Sequence, residues 1–318
     1  MNILLSILLN SVLPIFILVS LGFILNMKFR MDTDTLTKLN FYLFTPAFTF
    51  VYTFTTDITN ELARVILLAV TLLAVSYVIG VALTSILRLE RKTGKAFQNA
   101  FMFFNSGNIG VSLIILVFSN APFTEGNLTP HLQTALSVQI MLFLVQSSTM
   151  NTLGFVNSGG EGMTLKTGVL RVLQMPTIYA VVCAFLFKLL PFDFAQTPLW
   201  PALQHLRDGL ISIALVTLGV QLGKTRVNFR QKTSYLAVFC RLIGGPAVAF
   251  ALIKLFGFGG VIAQSIFISV SAPSAVNTAL ISVECKGDSD FAVQAVTFST
   301  LFSAVTMTLV VYLAYVLF

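Results

Sequence analysis

Phe101-Met102-Phe103-Phe104-Asn105-Ser106-Gly107-Asn108-Ile109-Gly110-Val111-Ser112 is an apolar run with a polar, glycine-containing centre. Val270-Ser271-Ala272-Pro273-Ser274 interrupts a second apolar run, Val261 to Val283, in the same manner. In lipid such interruptions are expensive. No water reaches the hydrocarbon core, so every backbone N–H and C=O must be bonded internally, and a helix breaks only where the freed groups line a cavity or face protein. Matching interruptions in two halves of a membrane chain are the best sequence pointer to a transporter's binding site. Gly107 and Gly110 supply backbone freedom at the first. Pro273 removes a donor and clashes with the preceding turn at the second.

Composition places the chain in a membrane. Of its 318 residues 56% are hydrophobic and 10% charged, and the mean hydropathy is +0.90, against about 45–50% apolar and about 25% charged in soluble domains. Stretches of about 20 apolar residues with polar flanks give candidate spans at 2–26, 36–54, 63–87, 97–119, 132–153, 172–190, 208–223, 234–256, 261–283 and 291–318. The first lacks a basic n-region and a small-residue cleavage site, so it reads as a mature helix rather than a signal peptide.

Basic residues set the orientation. The loops after spans one, three, five, seven and nine carry Lys28, Arg30 and Lys38; Arg88, Arg91, Lys92 and Lys95; Lys166 and Arg171; Lys224, Arg226, Arg230 and Lys232; and Lys286. The intervening loops carry only Arg64, Lys188, Arg207 and Lys254. Both termini are therefore expected outside. The net charge of +7 reads as a topology signal, with no patch of interleaved aromatics to suggest nucleic acid.

Five spans on each side of a polar linker imply two halves of opposite direction. Pro14 and Pro176 lie 162 residues apart, and Asn108 and Pro273 lie 165 apart, as an internal duplication would place them. The expected fold is all-α and integral to the membrane: ten transmembrane helices as two inverted five-helix repeats, with the fourth and ninth broken. The repeats occupy 1–153 and 172–318, joined by a cytoplasmic linker at 154–171 whose glycines make it the one flexible-looking stretch.

Several runs are familiar in their order and spacing. They are Val12-Leu13-Pro14-Ile15-Phe16 with Leu21-Gly22-Phe23-Ile24-Leu25, Leu39-Asn40-Phe41-Tyr42-Leu43 leading to Pro46, Asn105 through Gly110, Leu218-Gly219-Val220-Gln221-Leu222-Gly223, Arg241 with Pro246, and Ser271-Ala272-Pro273 continuing to Phe298-Ser299-Thr300-Leu301-Phe302-Ser303. Together they resemble the auxin efflux carrier family, particularly its short bacterial members, almost from end to end. The resemblance implies a fold like that of the bile-acid/sodium symporters. There helices 1, 2, 6 and 7 form a scaffold, and helices 3 to 5 and 8 to 10 a moving transport domain, with helices 4 and 9 crossing at their breaks. Family members carry organic anions such as auxin or small dicarboxylates. They often have a proline after the first break, where this chain has Val111-Ser112.

The candidate substrate-binding residues are Asn105, Ser106, Gly107, Asn108, Gly110 and Ser112 at the first break and Ser271, Pro273, Ser274 and Asn277 at the second. After each break a half-helix begins with free N–H groups and a partial positive charge, which suit a carboxylate. The alternative is that Asn and Ser merely cap the broken ends or join helices. Arg241 is the one ionised residue well inside a span. It either attracts the anion or snorkels and caps freed carbonyls. Asn40, Thr45, Pro46 and Gln139 are candidates for the pocket lining, with helix packing as the competing role. Trp200, between Pro198 and Pro201, reads as an interfacial anchor in an outer loop.

All acidic residues fall in loops or at span ends, so no mid-span carboxylate offers a proton relay. Transport is expected to be uniport driven by gradient and potential, or coupled to an ion held by neutral oxygens. Cys183, Cys240 and Cys285 have no metal or redox spacing, and no HExxH, GxSxG or Walker sequence is present. No enzymatic activity, metal or cofactor is expected. The expected function is a secondary carrier in a bacterial cytoplasmic (plasma) membrane, and the resemblance implies a small organic anion as cargo and elevator-like alternating access. The alternative is a passive anion channel or membrane receptor on the same bundle. Sodium as coupling ion and assembly as a homodimer are left open.

Overall fold

A computed structural model describes residues 3–56, 59–159, 164–190, 193–225 and 231–318. Thirteen helices follow one another among them. They are α1 (Ile3–Phe29), α2 (33–55), α3 (Asn60–Ile86), α4 (Arg91–Met102), α5 (Ser106–Phe118), α6 (132–158), α7 (Leu165–Leu173), α8 (Pro176–Lys188), α9 (Leu199–Gly223), α10 (Lys232–Phe256), α11 (Gly260–Val270), α12 (Val276–Glu284) and α13 (Ser289–Leu317). α1, α3, α9, α10 and α13 are long and apolar enough to cross a bilayer individually, and α7 with α8, bent by 58°, would make a sixth. The other stretches marked as spans are also helical but shorter, less apolar or interrupted. The linker expected at 154–171 is helical at both ends, through Ser158 of α6 and from Leu165 of α7, and its residues 160–163 lie outside the described set.

Interior prolines shape three of these helices. Pro14 in α1, Pro46 in α2 and Pro246 in α10 are each preceded by five residues of wide π-helix, at Leu8–Val12, Asn40–Phe44 and Cys240–Gly244. A proline has no N–H and its ring collides with the carbonyl four residues back. The wide turn resolves both, because the residue before each proline bonds five residues back: Leu13 to Leu8, Thr45 to Asn40 and Gly245 to Cys240.

Helices α1 and α9 approach through glycine. A Cβ on Gly22 would stand 2.2 Å from the carbonyl oxygen of Val216, and one on Gly219 would stand 2.0 Å from that of Val19. Small residues permit such backbone contact where lipid supplies no hydrophobic drive. α8 and α9 both pack on α2, so α1, α2, α8 and α9 form one group.

Trp200 differs from its expected place. It lies in the first turn of α9, 8% exposed, against the rings of Phe54 and Phe194 at 5.3 and 6.3 Å. Its neighbours Pro198 and Pro201 fall where a helix has no N–H bonds to lose, so they begin the helix rather than prevent it.

Candidate functional site

The two interruptions meet. Asn105 N–H donates to the carbonyl of Pro273 at 2.7 Å and Ala275 N–H to that of Phe103 at 2.9 Å, a short antiparallel bridge between otherwise helical segments. Each break thus satisfies part of the other's backbone, which removes much of the cost of unwinding in lipid. The Ser274 hydroxyl donates to the carbonyl of Ala100 at 2.7 Å, and Ser274 N–H donates to the hydroxyl of Ser299 on α13 at 3.1 Å. Ser271 donates to the carbonyl of Ile268 on its own helix. Ser271, Pro273 and Ser274 are buried in this joint and do not line the central cavity.

Arg241 closes the joint from the other side. Its side chain, 2% exposed, donates from Nη1 to the carbonyl of Phe101 at 2.8 Å and from Nη2 to that of Val270 at 2.6 Å. Those carbonyls belong to the last turns of α4 and α11, the negative ends of the two half-helices that precede the breaks. One guanidinium therefore caps both, and its carbon lies 5.4 Å from the centre of the Phe104 ring. Gly245 makes the room, since a Cβ there would fall 2.3 Å from Nη2. Arg241 does not line the cavity below.

That cavity, about 140 Å³, lies where the breaks face α2, α6 and α9. Asn105, Ser106, Gly107, Asn108 and Asn277 line it, as do Asn40 and Thr45; Gly110, Ser112, Pro46 and Gln139 do not. The half-helices α5 and α12 both start at its wall, so two sets of first-turn N–H groups converge there. Asn105 is the N-cap of α5, and its Oδ1 accepts from Asn108 N–H at 3.2 Å. This leaves the Asn105 Nδ2 as a buried donor without a partner. Asn108 Oδ1 accepts from Asn40 Nδ2 at 3.1 Å, and Asn40 Oδ1 accepts from Thr45 at 3.2 Å. The second amide thus also turns its nitrogen to spare. Gln139 braces the first break from behind, donating to the carbonyl of Ser106 at 2.7 Å. Ser112 donates to the carbonyl of Asn108 at 2.7 Å, and Gly110 fits against Gln139, whose Nε2 would lie 2.8 Å from an added Cβ.

The lining also holds residues that the sequence did not single out as ligands: Thr37, Thr217 and Gln221, with Phe143, Ser147 and Asn151 on α6. Thr217 Oγ1 and Gln221 Oε1 are buried without partners, while Gln221 Nε2 donates to Thr37 at 3.3 Å. The available signal was their spacing, since 217 and 221, and 143, 147 and 151, share a face of their helices. Among the described residues no Asp, Glu, Lys, Arg or His lines the cavity.

A polar, uncharged cavity thus lies where two interrupted apolar helices meet. The chain matches the family model described as "Membrane transport protein" over residues 7–311, and it belongs to that family, the auxin efflux carriers. No curated protein matches the chain.

Proposed function

We propose that this protein is a secondary carrier that moves a small organic anion by elevator-like alternating access. The observation that carries the reading is the convergence at one cavity of two half-helix N-termini with the free amide nitrogens of Asn105 and Asn108. Donors dominate that wall, and a carboxylate is the common biological group that only accepts. With no cation in the lining, one negative charge is matched by helix ends and neutral donors.

The bodies that would move are those the family resemblance implies, and the packing of α8 and α9 on α2 and of α9 on α1 supports one of them. α1, α2, α8 and α9 form the scaffold, and α3 to α6 with α10 to α13 the transport domain, within ten spans arranged as two inverted repeats. At one end the bodies are closed: Thr56 and Ser137 hydroxyls bond at 2.9 Å, Gln133 donates to Thr55 at 3.1 Å, and Ser11 donates to the carbonyl of Leu116 at 3.3 Å. At the other, the cavity is flanked by the N-terminal half of α2 and the C-terminal half of α6. The distribution of basic residues puts that end in the cytoplasm, so this is an inward-facing state.

A melting-temperature screen of purified protein against organic acids, with and without sodium, identifies the cargo. A ligand at about 100 times its dissociation constant stabilises by roughly 2.7 kcal/mol. The cargo is then followed into proteoliposomes. Flux should saturate, show trans-stimulation and respond to an imposed potential, by about 2.3 kcal/mol per charge per 100 mV. Unsaturable flux of high unitary rate would instead mark a channel and overturn the carrier reading.

A further inference from the structure

A second cavity, about 200 Å³, sits at the turn between α3 and α4, apart from the central one. Arg88, Arg91 and Lys95 line it, and no acidic side chain does among the described residues. The guanidinium groups of Arg88 and Arg91 make no ion pair or hydrogen bond to any described residue. The floor is fixed: Gln98, 5% exposed, donates to Thr84 at 2.9 Å, and Lys95 Nζ is held by Asn157 Oδ1 at 2.9 Å.

The start of α4 is also unsatisfied. Glu90 stands at the N-cap, exposed, but its side chain bonds none of the first-turn N–H groups, and the first amide with a partner is Gly94, bonded to the Glu90 carbonyl at 2.7 Å. The amides of Arg91, Lys92 and Thr93 are thus free at the positive end of a twelve-residue helix. Basic side chains at that end oppose the helix dipole, and Arg91 and Lys95 face each other one turn apart. Partial burial and the Arg91 charge both hold the Lys95 ammonium below its usual range. Two carboxylates stand near this start, Glu90 at the N-cap and Asp288, which accepts from the Thr93 hydroxyl at 2.6 Å, but neither lines the cavity that Arg88, Arg91 and Lys95 share.

We propose that this cavity binds a phosphate-bearing anion, either the headgroup of an acidic membrane lipid or free phosphate, through the Arg88 and Arg91 guanidinium groups that line it. Phosphate oxygens match the forked donors of arginine. The cavity lies between the ends of two membrane helices, where a basic pocket meets lipid headgroups. The inference is independent of the central cavity and its cargo.

The test uses purified full-length protein titrated with dihexanoyl phosphatidylglycerol, dihexanoyl phosphatidylcholine and inorganic phosphate, with melting temperature as readout. Phosphatidylglycerol should stabilise the wild type saturably and phosphatidylcholine should not. The double variant Arg88→Gln/Arg91→Gln should weaken the response at least tenfold, while Lys28→Gln/Lys224→Gln, with the same change in charge, should leave it unaltered. Response to phosphatidylglycerol alone assigns a lipid headgroup, and response to inorganic phosphate assigns a free anion. In the wild type, the phospholipid or phosphate that binds should also protect Arg88 and Arg91 from phenylglyoxal, a measurement that stands if the double variant does not fold. No response to either compound, equal responses in wild type and the Arg88/Arg91 variant, or unprotected arginines would overturn the proposal.

Discussion

Removing the guanidinium of Arg241 leaves the Phe101 and Val270 carbonyls buried and uncapped. Hydrogen bonds to charged groups contribute about 1.5–3 kcal/mol each, so Arg241→Gln should lower stability by at least about 3 kcal/mol in chemical denaturation. Arg241→Lys should recover little, because one ammonium lacks the fork that reaches both helix ends. Gly245→Ala should mimic the loss by displacing the guanidinium from its seat. A variant that kept wild-type stability would deny Arg241 its structural part. Asn105 supports a sharper test. Asn105→Asp keeps the oxygen that caps α5 and places a negative charge at a helix start, so the empty protein should melt within about 1 kcal/mol of wild type or above it. The same change replaces a donor with a negative charge, and binding of the carboxylate found in the melting screen should fall at least a hundredfold. Unchanged binding would remove Asn105 from the site.

Helices in this protein are positioned by exceptions to helical regularity, and their legibility differs accordingly. The breaks at 105–110 and 271–274 are readable because Asn, Ser, Gly and Pro interrupt runs that are otherwise apolar. That the breaks bond to each other is not readable, because main-chain pairing leaves no residue signature. The depth of Arg241 can be counted along its helix, but which way it turns depends on the π-bulge at Cys240–Gly244, and that rotation decides between cargo and carbonyls. Gln221 reads from the sequence as helix packing and Thr217 is not singled out, because an isolated polar residue in a membrane helix looks the same whether it faces a neighbour or a cavity. The α1–α9 contact is likewise hidden in glycines that any turn could require. Gly219→Ala should drive the two backbones apart and cost about 1–3 kcal/mol through overpacking, measurable as an earlier unfolding transition. Full stability in that variant would show that the helices can separate freely.

Polar bonds join α2 to α6 and α1 to α5 at one end of the molecule, and a polar cavity lies towards the other. Loosening the bonded end with Thr56→Val/Ser137→Ala should raise the population of states that expose Met141, which lines a small void beside that contact. In a background without Cys183, Cys240 and Cys285, Met141→Cys should react with a membrane-impermeant maleimide several-fold faster when the pair is replaced. Equal rates would mean that these hydroxyls do not restrain the closed end. The joint at the centre has a different bearing. Its bonds between 105 and 273 and between 103 and 275 use main-chain atoms alone, and any residue except proline can supply the N–H at 105 or 275. Side chains around the cavity are thus free to drift over generations without unfastening the frame, and descendants of one ancestor can diverge in diet while inheriting a common architecture.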